Sequence, residues 1–361
     1  MNNISKPFSL SILERNKKIT VRNLPEEELS PFECEVKIRA AGLCSSDIAR
    51  AYDNGAYDYP LVMGHELAGE LIRVGQNAQD EFSIGDKVCV FPLLPCFNCP
   101  SCEQKHYALC HDYSYYGSRC NGGFADRLNV NKWNLIKLPD GLNIEDCALL
   151  EPTTVALHAI EKFCLDTEKP SQICILGAGF LGLIAVQIIN RFYPKCKVIL
   201  VDRNKYKLDI GSKHGANCLW VGDSISWESF LSENANRFDN VVEFIGLPKT
   251  FSAAVHIASP KGLIVWAGNI TGDLNLAKSQ VSSILRKELT ILGTWNSIYK
   301  GTDICDWTKT LDLISNGLKP SELISLRIGL DEINDTLAKL YAHKTRVKPF
   351  EVIKILVRPN A

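Results

Sequence analysis

The chain lacks net charge: 40 Lys and Arg stand against 41 Asp and Glu, a formal −1 at pH 7. Nothing in its global electrostatics therefore asks for nucleic acid or an anionic membrane as a partner. A secretory leader is not expected, since Met1 to Leu10 holds neither a basic segment nor an apolar run. A membrane span is missing too. Ile173 to Ile189 is largely apolar, but three glycines interrupt it and Gln187 sits inside it. The run falls short of the ~20 residues a bilayer needs, and a buried strand followed by a buried helix accounts for it. Internal repeats and low-complexity segments are absent.

Cysteine, by contrast, is abundant, with fourteen in 361 residues. A small secreted domain would use them for disulfides. In a long chain without a leader, the expectation is a reducing cytoplasm with several thiols serving as metal ligands. The length suits two domains. The 46% hydrophobic and 22% charged composition is that of a folded globular protein and excludes a disordered one.

The first third reads as short strands and loops, for example Glu35 to Arg39, Leu67 to Val74 and Lys87 to Val90, punctuated by Gly, Pro and Asp. From about Ile144 the texture changes, and Glu145 to Lys162 has helical apolar spacing. Strands and helices then alternate: Gln172–Leu176 (strand), Phe180–Arg191 (helix), Lys197–Val201 (strand) and Tyr206–His214 (helix), with later strands at Asn240–Glu243 and Gly262–Ala267. This pattern predicts an α/β fold with a doubly wound parallel sheet inserted in the middle of the chain. The tail from about Trp295 holds two further helix candidates and a strand-like run, Val352 to Val357, expected to return to the first domain. The expected domains are residues 1–149 completed by 295–361, and residues 150–294.

Cys96, Cys99, Cys102 and Cys110 form C-x2-C-x2-C-x7-C. Four thiolates suit a closed tetrahedral zinc site that leaves no position for substrate, and Pro95, Asn98, Pro100 and Ser101 favour the turns that converge the sulfurs. An iron–sulfur cluster is disfavoured by the long last spacing and the missing Cys-Pro ending. A nucleic-acid-binding ribbon is disfavoured because Lys105 is the only Lys or Arg between Cys96 and Cys110. A structural zinc is expected.

Gly177-Ala178-Gly179-Phe180-Leu181-Gly182 is G-x-G-x-x-G, placed after an apolar strand and opening a helix. The glycines permit a tight turn and close approach of a pyrophosphate to the helix N-terminus. Asp202 closes the next strand, 20 residues past Gly182, where a carboxylate accepts the adenosine ribose hydroxyls. A carboxylate there repels a 2′-phosphate, so NAD is favoured over NADP. Arg203, which follows, is either a solvated charge or a partner for that phosphate.

Three further segments carry potential metal ligands: Cys44 with Ser45, Ser46 and Asp47; His65 with Glu66; and Glu151 before Pro152. A catalytic zinc takes three protein ligands and keeps one position open; Cys44, His65 and Glu151 could supply them, although a lone buried Cys or His is more often packing. The run Gly64-His65-Glu66-x2-Gly69-x5-Gly75-x2-Ala78 adds weight. With the cysteine lobe, it resembles the zinc-containing medium-chain dehydrogenase/reductase family over nearly the whole chain. That resemblance implies a mostly β, GroES-like catalytic domain around an inserted Rossmann domain, with two zinc ions per subunit. It implies Cys44, His65 and Glu151 as catalytic-zinc ligands, as in the polyol-dehydrogenase branch, with Glu66 as an adjacent carboxylate able to approach the metal. Ser46 would hydrogen-bond the alcohol and begin the proton path, and Asp47 would accept from a ligand or backbone group. Zinc would act as a Lewis acid on the hydroxyl. Many relatives carry His five residues after the cysteine, where this chain has Ala49, so the terminal proton acceptor stays unassigned. Val155 would back the nicotinamide, or serve simply as core.

Val90–Phe97, Tyr116–Arg119 with Gly122–Ala125, and Leu285–Thr290 are similar to the galactitol-1-phosphate 5-dehydrogenase-like branch. The missing His at 49 fits that branch. The substrate implied is a polyol or sugar-alcohol phosphate, oxidised at a secondary hydroxyl in an interdomain cleft; a threonine-type or simple alcohol dehydrogenase is the alternative. By position in the family, the pocket includes Ser46, Tyr59, Arg119, Trp295 and Asn296. Arg119 would hold a substrate phosphate or pair with Asp126 or Asp112. A homodimer or homotetramer is implied, with the run Lys261 to Glu288 as the place to look for its interface.

Overall fold

The computed structural model describes residues 8–25, 27–53, 55–301, 303–344 and 351–359; most of the N-terminal stretch read for a leader lies outside them. The chain divides into two units, Met1–Glu151 with Ile298–Ala361, and Pro152–Ser297. Among the described residues, no helix is long and apolar enough to cross a membrane.

The first unit is built on a mixed sheet in which Leu135–Lys137, Lys87–Val90, Glu66–Val74, Glu33–Leu43, Lys354–Val357 and Ile324–Ile328 lie side by side, with Arg127–Asn131 also pairing with Glu33–Leu43. The tail thus enters this sheet directly: Lys354–Val357 runs antiparallel to Glu33–Leu43, with Ile355 opposite Leu43. A smaller sheet joins Ile19–Leu24, Phe8–Leu13 and Leu61–Val62. Inward side chains of both, including Leu13, Ile38, Leu67, Leu71 and Val88, form one buried core. Alternation of apolar and polar positions along these strands is the pattern of a sheet with one face buried.

The second unit has six parallel strands in the order Asn217–Trp220, Lys197–Asp202, Gln172–Leu176, Phe238–Glu243, Ala258–Trp266, Thr290–Gly293. Numbered along the chain this is 3-2-1-4-5-6, the doubly wound order of a Rossmann domain. Its central strands are continuous apolar runs because helices cover both faces. The expected α/β architecture is the one found.

The stretch of helical spacing divides in the structure. The helical pattern of Glu145 to Lys162 is two helices, Ile144–Ala148 and Leu150–Glu161, separated at Leu149. Pro152 has no N–H to donate to the carbonyl of Ala148, so the hydrogen-bond ladder is interrupted there and Pro152 sits in the first turn of the second helix, where that N–H is not needed. The break places Glu151 in the first turn of the second helix, where the helix dipole favours a carboxylate.

Candidate active site and metal centres

The four-cysteine lobe leaves the sheet through a two-stranded ribbon, Leu93–Leu94 against Ser114–Tyr115. Cys99 precedes a short helix, Pro100–Glu103, that carries Cys102. Phe97 (φ 59°) and Lys105 (φ 58°) take the left-handed turns that fold the loop back on itself. The sulfurs of Cys96 and Cys102 are 4.0 Å apart, those of Cys99 and Cys110 3.9 Å, and those of Cys110 and Cys96 3.5 Å. A tetrahedron with Zn–S bonds of about 2.3 Å has edges of about 3.8 Å. All fourteen cysteines are unpaired, so the spacing is that of a metal cage and not of disulfides. The Cys102 amide beside Cys99 lowers its pKa to about 6, while burial raises Cys102 to about 12. A dication removes that conflict by stabilising all four as thiolates.

The second cluster gathers on the sheet. Cys44 ends the strand Glu33–Leu43 and caps the helix Ser45–Tyr52. Asp47, fully buried, accepts from the Cys44 amide (3.0 Å) and from Arg50 Nη1 (3.0 Å), and its Oδ1 lies 3.8 Å from His65 Nδ1. Glu66 opens the next strand, directly opposite Gly42. A Cβ at Gly42 would come within 1.9 Å of Glu66 Oε2, so only glycine leaves room for that carboxylate. Cys44, His65 and Glu66 offer ligand atoms that all lie within 4.8 Å of one another. His65 Nδ1 is buried with no hydrogen-bond partner, an arrangement that suits an imidazole held by a metal. Burial opposes charge on His65, but the Cys44 sulfur and Asp47 outweigh it and raise its pKa to about 10.

Glu151 stands outside that tight trio but shares its field. Burial raises its pKa to about 7, Glu66 adds to the rise, and His65 and Lys354 oppose it. Its Oε1 accepts from the Tyr115 hydroxyl at 3.2 Å. Lys354 Nζ, from the last strand, donates to Glu66 Oε1 at 2.6 Å in a buried ion pair. Sequence reading missed Tyr115 and Lys354. Neither sits in a recognisable motif, and Lys354 reaches its partner across 288 positions.

The expected pocket residues are distributed unevenly. Ser46 is half-buried, in the first turn of the helix that Cys44 caps. The Tyr59 hydroxyl accepts from the Ala56 amide at 2.9 Å, and its ring lies under Arg15. Arg119 makes neither considered ion pair; Asp126 accepts instead from the Ser9 amide. Its guanidinium lies over the rings of Tyr113 (4.2 Å) and Tyr57 (4.6 Å) and donates to the Tyr113 carbonyl at 2.8 Å. Trp295 and Asn296 fall in the second unit, Trp295 58% exposed and Asn296 at φ 54°.

In the second unit the glycine turn is sterically enforced. A Cβ at Gly182 would lie 1.9 Å from the Gly177 carbonyl oxygen, and Gly177 itself has φ +110°. Gly179 caps the helix Phe180–Phe192 without a side-chain hydrogen bond, and a Cβ there would meet nothing within 4 Å. That leaves a helix N-terminus open to an anion, beside the point where the strand order reverses. Phe180 and Leu181 begin the helix, half-buried. Asp202 Oδ2 accepts from the Ala178 amide (2.7 Å) and Oδ1 from the Asn204 amide (2.8 Å), which fixes the carboxylate at the strand end. Arg203 is exposed, and Val155 is half-buried in the helix Leu150–Glu161. Donors and cradle fit a dinucleotide.

Fold and sites together define a class: a zinc-binding dehydrogenase that works with a nicotinamide cofactor. Comparison with known proteins agrees. Residues 30–140 match the alcohol dehydrogenase GroES-like domain, and residues 181–316 match the zinc-binding dehydrogenase domain. The galactitol 1-phosphate 5-dehydrogenase of Escherichia coli (strain K12) is 38% identical over 269 residues, 73% of this chain and 75% of that one. The sorbitol dehydrogenase of Bacillus subtilis (strain 168) is 26% identical over 366 residues, 99% of each chain. The crystal structure of galactitol-1-phosphate dehydrogenase from Escherichia coli superposes with a TM-score of 0.84 at 31% identity, covering 97% of this chain and 100% of that one. The chain belongs to the zinc-containing medium-chain dehydrogenase/reductase family, and it is an alcohol/polyol dehydrogenase, an oxidoreductase acting on a small-molecule alcohol.

Proposed function

We propose that the enzyme oxidises a secondary hydroxyl of a polyol or polyol phosphate of the galactitol 1-phosphate type to a ketone, with NAD as hydride acceptor. The observation that carries this reading is the buried grouping of Cys44, His65 and Glu66, with Glu151 in the same field, in a chain 38% identical to a galactitol 1-phosphate 5-dehydrogenase. Cys44, His65 and Glu151 would hold one zinc with Glu66 beside it, and Cys96, Cys99, Cys102 and Cys110 a second. A zinc held there would supply Lewis acidity toward the substrate hydroxyl, and a bound nicotinamide would supply the hydride acceptor. Ser46, two residues past Cys44 on a helix whose first turn Asp47 pins, would accept the substrate hydroxyl's hydrogen bond and begin the proton path by handing its own proton onward. Ala49 cannot pass it on, so the proton leaves by another route. Gly177, Gly179 and Gly182 let the pyrophosphate approach, Phe180 and Leu181 present their amides at the helix N-terminus, and the fixed Asp202 carboxylate favours NAD. Val155, Tyr59, Trp295 and Asn296 are assigned to the walls by position alone.

Arg119 is the phosphate candidate. Its guanidinium lies over the rings of Tyr57 and Tyr113, and a guanidinium fork suits phosphate oxygens. The test is NAD reduction with galactitol 1-phosphate, galactitol, sorbitol and threonine, in the native enzyme and in Arg119→Ala. The reading expects kcat/KM to fall about tenfold or more for the phosphate ester and little for free polyols; an unchanged value for the ester would remove Arg119 from the site. The same reading expects self-association along the edge strand Thr290–Gly293, beside a helix that leaves Val281 and Leu285 exposed; sedimentation tests it.

A further inference from the structure

Two carboxylates flank the Cys44–His65 pair, and they are held by opposite means. Glu66 is neutralised: Lys354 Nζ lies within 2.6 Å of both its oxygens, and both side chains are buried. Glu151 is held at Oε1 by a neutral hydroxyl, that of Tyr115, at 3.2 Å. A hydroxyl that donates to a carboxylate oxygen orients the group.

Tyr115 also touches His65. The two rings meet edge to face with centroids 5.8 Å apart at 63°. A single side chain thus contacts two residues that come from different elements. Its own placement is fixed on every side. Tyr115 pairs with Leu93 across the ribbon at the base of the cysteine lobe. Its carbonyl accepts from the amides of Ser118, Arg119 and Cys120 at 2.9 to 3.2 Å. Its ring packs edge-on against Tyr113, with centroids 6.3 Å apart, and Tyr113 lies under Arg119. A backbone and ring so restrained give the hydroxyl a defined position, which is what orienting a ligand requires.

We propose that Tyr115 is a positioning residue of the catalytic metal centre: its hydroxyl aims the Glu151 carboxylate, and its ring edge steadies His65. This rests on the reading of Cys44, His65 and Glu151 as ligands.

The test uses the full-length chain with zinc in the cysteine lobe and cobalt(II) at the catalytic cluster, comparing native protein with Tyr115→Phe. Removing an outer hydrogen-bond partner costs metal sites about 10- to 100-fold in affinity. Tyr115→Phe is therefore expected to keep its lobe zinc, bind cobalt about 10- to 100-fold more weakly and shift the cobalt visible bands. In a Glu151→Gln background the same substitution is expected to have little further effect, because the hydroxyl acts through that carboxylate. Unchanged affinity and bands in Tyr115→Phe would overturn the proposal, as would an equal loss in the Glu151→Gln background. Native protein that binds no cobalt beyond the lobe would overturn the ligand reading itself, and this proposal with it.

Discussion

Lys354 and Glu66 form an ion pair with Nζ 2.6 Å from Oε1, between side chains only 5% and 1% exposed. Burial alone would discharge the lysine, but the Glu66 carboxylate outweighs it and raises its pKa. Breaking one half of such a pair leaves a buried charge and costs about 3–5 kcal/mol. Lys354→Met is expected to lose that much in denaturant unfolding. The double change Lys354→Met with Glu66→Gln is expected to recover most of it; equal losses in single and double variants would contradict the account.

The cysteine lobe should behave as a folding element. Cys102→Ser, at a site 5% exposed, is expected to lower the metal content by one ion per chain and to reduce Tm. Such sites supply folding free energy on binding metal. Atomic emission with calorimetry measures both, and retention of two ions would refute the assignment.

Gly182 has no room for a methyl group, with 1.9 Å between a would-be Cβ and the Gly177 oxygen. Gly182→Ala must push the turn outward, at about 1–3 kcal/mol of overpacking. Cofactor binding is expected to weaken at least tenfold, read by quenching of tryptophan fluorescence on NADH addition, while both metals stay bound.

Metal uptake should release protons. In the metal-free protein His65 has a pKa of about 10 and Glu151 of about 7, yet ligation needs neutral imidazole and ionised carboxylate. Zinc affinity at the catalytic cluster is expected to fall as pH drops through about 10, where His65 protonates, and more steeply below about 7, where Glu151 does as well. The sign for stability is the reverse. Both pKa values lie above their unfolded values, so these groups stabilise the metal-free fold at low pH. That stability is lost between about 4.5 and 7 for Glu151 and between about 6.5 and 10 for His65. Calorimetric zinc titration at pH 8 in buffers of different ionisation enthalpy checks the release; heats independent of buffer would count against it.

Much of the fold was legible because its signals are local. The strand Gln172–Leu176 was legible because Ile173 to Leu176 form a continuous buried apolar run, as a strand covered on both faces requires. The break at Leu149 was not read, because apolar spacing persists across it and only the missing N–H of Pro152 decides. The cysteine cage followed from spacing along a short loop, where chain connectivity alone keeps four sulfurs close.

By itself, the sequence determined the α/β architecture with its two kinds of domain, the glycine turn that cradles a dinucleotide, the four-sulfur lobe and the family. Each is written in contiguous residues whose spacing is the geometry. Only the tertiary structure decided how Glu66 and Glu151 differ. One is met by Lys354 from the far end of the chain, the other by Tyr115 from the base of the cysteine lobe. Both glutamates have the same chemistry in sequence, and their surroundings differ because burial and hydrogen bonding depend on which side chains the fold brings near.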